Sequence, residues 1–342
     1  LKSNLAVASQ DLTFSFSDDW LFGKRLSGSV DFSFAHKAVS VAQDSSGVLF
    51  PYGSAGTGLA VPDPYDSLEE YVAAGNKVPD AYKMSYDAWT FSLGYSSGWR
   101  QPTFLGTVGL IPGVRHDLEM KTYDETRFRP YDSSIADNRG NWKFSNTFYL
   151  RAYLNNLDLW YNPSKGYYLS QRLGLTGWFP GEMSSFLRSD TRLDGYVTLF
   201  DIPVGESWSF KAVAAGHTKF SALLPQPWRD GLTLTDTSRL AIDGTFVGRG
   251  WSSLSSSYGT TLWDNWLELR VPVLPSVLSL DGFLSGALVG NDSGFLNIDA
   301  QAHNTTTGYG ALSLENVAFS MGGGVRFLIL QFPFRLYFAK QF

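Results

Sequence analysis

The chain of 342 residues has no cysteine. That removes disulfide frameworks, thiol nucleophiles and cysteine metal sites, but fits an oxidising space as well as a reducing one. Charge is also scarce. Asp, Glu, Lys and Arg make up 17% of the residues, against roughly 25% in an ordinary soluble protein. The net charge of −5 comes with no cluster of Lys and Arg, and counterion release from phosphates needs such a cluster, so no nucleic acid partner is expected. The four histidines, His36, His116, His217 and His303, are widely separated and show no metal-ligand spacing, so no metal and no other cofactor is implied. A spanning helix needs about 18 nearly uninterrupted apolar residues. The most apolar stretch, 271–289, is broken by Pro272, Pro275 and Asp281. The first ten residues show neither the basic start nor the apolar run of a signal peptide, and no initiating Met precedes them, so a processed or excised chain is expected.

What is present is burial capacity. Hydrophobic residues reach 44% and aromatics 15%, with 34 Gly and 15 scattered Pro, which excludes disorder and collagen-like repeats. The organising signal is alternation with period two, which in a strand sends successive side chains to opposite faces. Over 89–96, Trp89, Phe91, Leu93 and Tyr95 oppose Thr90, Ser92, Gly94 and Ser96. Over 142–154, Phe144, Phe148, Leu150 and Leu154 oppose Lys143, Ser145, Thr147 and Arg151. One face is apolar; the other is small, polar or charged.

About twelve such segments occur, at 5–17, 26–37, 86–97, 103–115, 142–154, 166–178, 189–202, 206–218, 259–272, 275–289, 316–330 and 333–342. Short connections, such as 18–23 and 97–103, alternate with long polar ones at 38–85, 116–141, 219–258 and 290–315. That asymmetry is the habit of an outer-membrane barrel, with tight turns on one rim and large surface loops on the other. Trp20, Phe22, Trp99, Phe104, Trp160, Tyr161, Tyr167, Trp178, Phe179, Trp208, Trp263 and Trp266 fall near strand ends, where aromatic belts anchor such barrels in the membrane interface. The fold class expected is all-β, a transmembrane antiparallel barrel. A soluble β-sandwich, perhaps lectin-like, shares the alternation and stands as the alternative.

Catalytic constellations are missing. The glycine-rich run at 53–58 lacks the flanking strand and helix and the Lys of a phosphate cradle, and no G-x-S-x-G elbow occurs. Glu69 and Glu70 are adjacent carboxylates in a polar loop, a pattern that usually means solvated side chains. Asn304 opens a glycosylation acceptor that carries little meaning in a bacterial outer membrane. An enzyme is poorly supported.

One ordered series carries a resemblance. Asp243-Gly-Thr-Phe-Val-Gly-Arg-Gly-Trp251 lies in a long loop, followed by Leu267-Glu-Leu-Arg-Val-Pro272 and Phe283-Leu-Ser-Gly-Ala287. Asp18-Asp-Trp-Leu-Phe-Gly23, Asn162-Pro-Ser-Lys-Gly166 and the closing segment from Gly322 to Phe338 add to it. In order and spacing the series resembles the BamA family of outer-membrane barrel-assembly proteins, in a spirochaete (Treponema-like) form. Gly248 stands where the loop motif usually has Val, and Ser285 and Ala287 where Asp and Gly are usual.

The resemblance implies a barrel of the 16-stranded type, made incomplete at both ends by absent strands, with no periplasmic domain in residues 1–342. It implies a factor that performs no bond chemistry and assists folding and insertion of other barrels. Its partners would be unfolded outer-membrane proteins, other assembly-machinery components and outer-membrane lipid. The loop bearing Gly248, Arg249, Gly250 and Trp251 would fold into the lumen, with Arg249 held by Glu268 on the next strand. Ser285 cannot supply the family's second charge, and Asp281, on the face of Phe283, is available in its place. Alternation gives the same picture locally, since Leu267 and Leu269 facing lipid leave Glu268 and Arg270 inward. Residue chemistry alone leaves two options for Arg249: a bidentate lumenal pair or a solvated side chain. A porin or adhesin barrel remains the functional alternative.

Overall fold

Period-two alternation calls for one sheet with two unlike faces, and the computed structural model contains it. It describes residues 2–5, 9–24, 26–40, 65, 67–204, 209–252, 258–274, 277–292, 294–298, 309–329 and 332–342. The strands are β1 (Lys2–Leu5), β2 (Ser9–Asp18), β3 (Leu26–Ser40), β4 (Lys83–Ser97), β5 (Trp99–Thr103), β6 (Gly106–Thr122), β7 (Lys143–Asn155), β8 (Gly166–Thr176) and β9 (Phe186–Pro203). They continue as β10 (Ser209–Leu224), β11 (Leu240–Ala241), β12 (Tyr258–Gly259), β13 (Thr261–Leu274), β14 (Leu278–Asn291), β15 (Gly294–Leu296), β16 (Tyr309–Gly310), β17 (Ala318–Ile329) and β18 (Phe332–Gln341). Two short helices, α1 (Leu68–Ala73) and α2 (Ser133–Asp137), lie in the long connections.

All but β11 and β12 join one 16-stranded antiparallel sheet. A single continuous sheet is a barrel wall; a sandwich needs two facing sheets. The twelve segments expected from alternation correspond to the long strands β2, β3, β4, β6 to β10, β13, β14, β17 and β18. Several run further than expected. β4 begins at Lys83, β6 ends at Thr122 and β10 at Leu224, because the inward residues there, among them Met84, Tyr86, Lys121 and Leu223, are buried under folded-in loops and never become loop-like. β1 pairs only with β2 and β18 only with β17 among the described residues.

The two faces separate sharply along β13. Leu267 is 64% exposed while Glu268 is 4% exposed. Phe16, Phe148, Leu173, Leu199, Leu284 and Phe338 also point outward and exposed, a band of apolar surface that only lipid can satisfy. Trp20, Trp99, Phe104, Trp160, Tyr161, Trp178, Phe179 and Trp263 are exposed near strand ends, as expected of a belt. Trp266 is a correction: it shares a face with Asp264 and Glu268 and stacks on His217 inside the barrel, rings 5.2 Å apart. Tyr167 is half-buried and donates to the carbonyl of Leu105 at 2.7 Å. The Phe22 side chain and Trp208 lie outside the described residues, as do 53–58, His303 and Asn304.

The inner face is not polar throughout. Toward the long-loop end it carries Phe186, Leu223, Leu262 and Val289, and these bury Leu234, Leu240, Ile242 and Trp251 from the 225–260 connection. On the opposite wall Met84, Tyr86 and Ala88 pack against Phe128, Tyr131 and Ile135. The hydrophobic core therefore sits inside the barrel mouth, made by loops turned inward. Glu69 and Glu70 occupy the first turn of α1, capped by Ser67, whose Oγ accepts from the Glu70 amide at 3.2 Å; carboxylates there meet the positive end of the helix dipole.

Candidate functional site

The motif loop is a tight knot of backbone. The Asp243 carboxylate accepts from the amides of Thr245, Phe246 and Val247 at 2.7, 2.7 and 2.9 Å. The Gly250 amide then returns to the Gly244 carbonyl at 2.7 Å. Gly248 and Gly250 adopt φ of 62° and 90°, a left-handed backbone that suits glycine. A Cβ on Gly250 would stand 2.7 Å from the Ala339 Cβ, so the knot is pressed directly against β18.

From this knot Arg249 points into the lumen and is 3% exposed. Its Nη1 donates to Glu268 Oε2 at 2.9 Å. Its guanidinium carbon lies 4.9 Å from the ring of Trp266, 4.8 Å from Phe283 and 5.3 Å from Tyr337, a cage of π-faces that favours a planar cation. The Arg249 carbonyl accepts from Ser320 Oγ at 2.6 Å, and the Gly250 carbonyl from Gln341 Nε2 at 2.7 Å. The Gly248 amide donates to Asp264 at 3.3 Å and Trp251 Nε1 to the Phe319 carbonyl at 3.0 Å. One loop thus touches β13, β14, β17 and β18.

Glu268 is shared. Arg270 Nε donates to it at 2.6 Å, and Arg326 donates both to Glu268 and to Asp281, reaching the latter from Nε at 2.8 Å. Asp281 therefore supplies a carboxylate, but to Arg326 rather than to Arg249. Phe283 forms part of the cage. Ser285 is buried, and among the described residues its Oγ has no hydrogen-bond partner. Arg326 is the residue the motifs missed: it sits between outward Val325 and Phe327, and alternation alone places it inward. Three guanidinium groups around two carboxylates make a buried network in which removing the anion strands several charges.

The same loop is fastened on the far wall. Lys121 Nζ, fully buried, donates to Asp236 and contacts Glu119 at 3.0 Å. Asp236 also accepts from Tyr86 at 2.8 Å, while its amide donates to Ser134 Oγ at 3.0 Å. Arg239 pairs with Asp132 at 2.9 Å. No sequence pattern marks this anchor.

Among the described residues no group of three His, Asp or Glu side chains is arranged to hold a metal ion. His36 contacts Asp87 at 2.6 Å, His116 Asn146 at 2.5 Å and His217 Asp194 at 2.5 Å.

Residues 2–342 match the Omp85 superfamily domain. A protein of Treponema pallidum (strain Nichols) described as an outer membrane protein assembly factor is 28% identical over 363 residues, and the match covers 100% of this chain and 41% of that relative. The crystal structure of BamA from Haemophilus ducreyi lacking POTRA domains 1-3 superimposes with TM-score 0.52 at 14% identity, covering 98% of this chain and 59% of that one. CdiB from Acinetobacter baumannii gives TM-score 0.52 at 8% identity, covering 98% and 47%. At these identities the two structures share the fold, and the chain spans less than two thirds of each relative.

Proposed function

The chain belongs to the Omp85 superfamily, and from that premise we propose that it is the barrel domain of an outer-membrane protein assembly factor, assisting other β-barrels to fold and insert. The observation that carries this reading is the docking of Arg249 inside the wall, with its loop fixed to β13, β14, β17 and β18. A passive pore gains nothing from a loop locked against the strands beside β18. A factor that pairs an incoming strand with its own wall needs that wall held from within, because edge pairing supplies affinity only when the template edge is ordered. The partners are then unfolded outer-membrane proteins at the edge, other machinery components, and lipid around the exposed apolar band. The long loops face the cell exterior and the short turns the periplasm. No bond is made or broken.

The test is replacement of the natural gene by an Arg249→Ala version in a cell that depends on it. Loss of heat-modifiable, folded outer-membrane proteins together with loss of growth supports the assembly role. Unchanged assembly of other barrels at normal levels of the variant would favour the porin or adhesin alternative.

A further inference from the structure

A second lumenal feature stands apart from the Arg249 loop. The inward faces of four neighbouring strands carry Arg115 on β6, Arg151 on β7, Arg172 on β8, and Arg188 and Arg192 on β9. Three of these pair with an aspartate two residues further along the same strand: Arg115 with Asp117 at 2.8 Å, Arg188 with Asp190 at 2.8 Å, and Arg192 with Asp194 at 2.7 Å. Arg151 and Arg172 break the pattern. They face each other directly in the β7–β8 register, and among the described residues neither forms an ion pair. Arg151 donates to the Tyr168 hydroxyl, and Arg172 lies 4.6 Å from the Tyr149 ring. Like charges directly opposite in an antiparallel pair destabilise the ladder; Asp190, opposite Arg172 on β9, offsets part of that repulsion, and an anion bound beside Arg172 offsets more.

Space for one is present. A cavity of about 130 Å³ opens beside Arg172, lined also by Arg115, Arg188, Thr147, Thr176 and Asp190. The two threonine hydroxyls bond each other at 2.8 Å, which leaves one hydroxyl proton to donate into the cavity. Arg115 is held through Nε by Asp117 and through Nη2 by Ser92, and Arg188 through Nε and Nη2 by Asp190, each keeping Nη1 to donate, while among the described residues no hydrogen bond engages the Arg172 fork. Three guanidinium groups against two carboxylates, Asp117 and Asp190, leave the cavity net positive. The volume suits a compact group, and the outward Leu173 on the same strand shows that lipid lies on the other side of the wall.

We infer that this cavity binds a compact oxyanion of the phosphate type, drawn from the aqueous lumen and held by Arg172 with Arg115 and Arg188. Guanidinium forks match such oxygens in paired hydrogen bonds, the device by which arginine-lined pores select anions. Calorimetric titration of the folded full chain in detergent with sodium phosphate, against sodium chloride at equal ionic strength, tests it. Saturable binding is expected for phosphate and none for chloride. Arg172→Gln is expected to weaken phosphate binding roughly tenfold or more, the loss of one charge-assisted contact. Arg100→Gln on the exposed β5 is expected to change nothing. Arg172→Lys keeps the charge but loses the fork, so it preserves the fold should the Gln variant misassemble, and is expected to bind about threefold or more weakly. Indistinguishable heats for the two salts, or unaltered affinity in a folded Arg172 variant, would overturn the assignment.

Discussion

Lys121 and Asp236 lie 115 residues apart in sequence and meet as an ion pair with no access to water on the lysine side. Lys121 belongs to β6 and Asp236 to the connection that later delivers Arg249 to β13. The connection therefore crosses the barrel mouth and is fastened at both walls. Each fastening has a buried ion pair and further hydrogen bonds, from Tyr86 and to Ser134 at Asp236 and from Ser320 and Gln341 at the Arg249 loop, so neither end is released by losing one hydrogen bond. Breaking the β6 anchor frees one side of the loop while Arg249 still holds the other.

The two substitutions at this anchor are expected to differ. Lys121→Met leaves Glu119 and Asp236 facing each other without a cation, and should destabilise the folded chain by about 3–5 kcal/mol. Asp236→Asn leaves Lys121 with Glu119 and should cost about 1–3 kcal/mol. Urea titration in detergent, read by the heat-modifiable shift of folded barrel, checks the order; equal losses would mean that the pair does not carry the anchor.

A parallel asymmetry is expected at the other wall. Arg249→Ala leaves Glu268 paired with Arg270 and Arg326, so it should release the loop to limited proteolysis at a cost of about 1–3 kcal/mol. Glu268→Gln withdraws the carboxylate shared by three guanidinium groups and should cost about 3–5 kcal/mol. A Glu268→Gln protein as stable as Arg249→Ala would place the main support of the wall elsewhere.

The difference between what sequence shows and what it hides follows from contact range. Leu267, Glu268 and Leu269 alternate within one strand, so facing is a local property and is legible directly. Arg249 opposite Glu268 became legible through the order of motifs, because the loop and its strand are neighbours in the chain. Trp266 looked like a belt residue because aromatics near strand ends usually are; only counting its parity against Leu267 puts it in the lumen beside His217. Arg326 was within reach of the same parity argument. Lys121 and Asp236 were not, since nothing periodic links β6 to a connection four strands later, and a buried pair looks in sequence like two ordinary charges. The apolar plug was hidden likewise: Leu234, Leu240 and Ile242 read as scattered loop residues until they fold onto Val289 and Leu262.

Gly248 takes the place of the Val usual in the resembled motif, and the structure gives a reason. An added Cβ would stand 2.6 Å from Ile242 Cγ2 and 3.2 Å from the Ala287 Cβ, on a backbone with φ of 62°. Ile242 fills the room a Val side chain would use. Gly248→Val should therefore cost roughly 1–3 kcal/mol through overpacking and left-handed strain and expose the loop to protease. Adding Ile242→Ala should recover part of the loss, the overpacking share, while the strain stays. A Gly248→Val chain with a protected loop and unchanged stability would show that the knot has room to shift.

The turn between β7 and β8 offers a test in pH. Burial pushes the Asp158 carboxyl up, but hydrogen bonds from the Ser164 hydroxyl and from the amides of Ser164, Lys165 and Leu159 outweigh it and hold the group below its ordinary value. These bonds measure 2.6, 2.9, 3.3 and 2.9 Å. A carboxylate lowered in the folded state stabilises that state above its unfolded pKa of about 4. The contribution fades as pH drops below that point and is gone once pH passes the lower folded value. Hydrogen exchange at the Leu159 and Ser164 amides should accordingly be slow, beyond the intrinsic pH effect, near neutrality and lose protection in acid. Asp158→Asn should be less protected at neutral pH and show no such acid step. Because Asp158 sits at the surface, the effect is confined to the turn and should leave global unfolding of the barrel almost unmoved; an acid step of equal size in the Asn variant would assign the titration to another group.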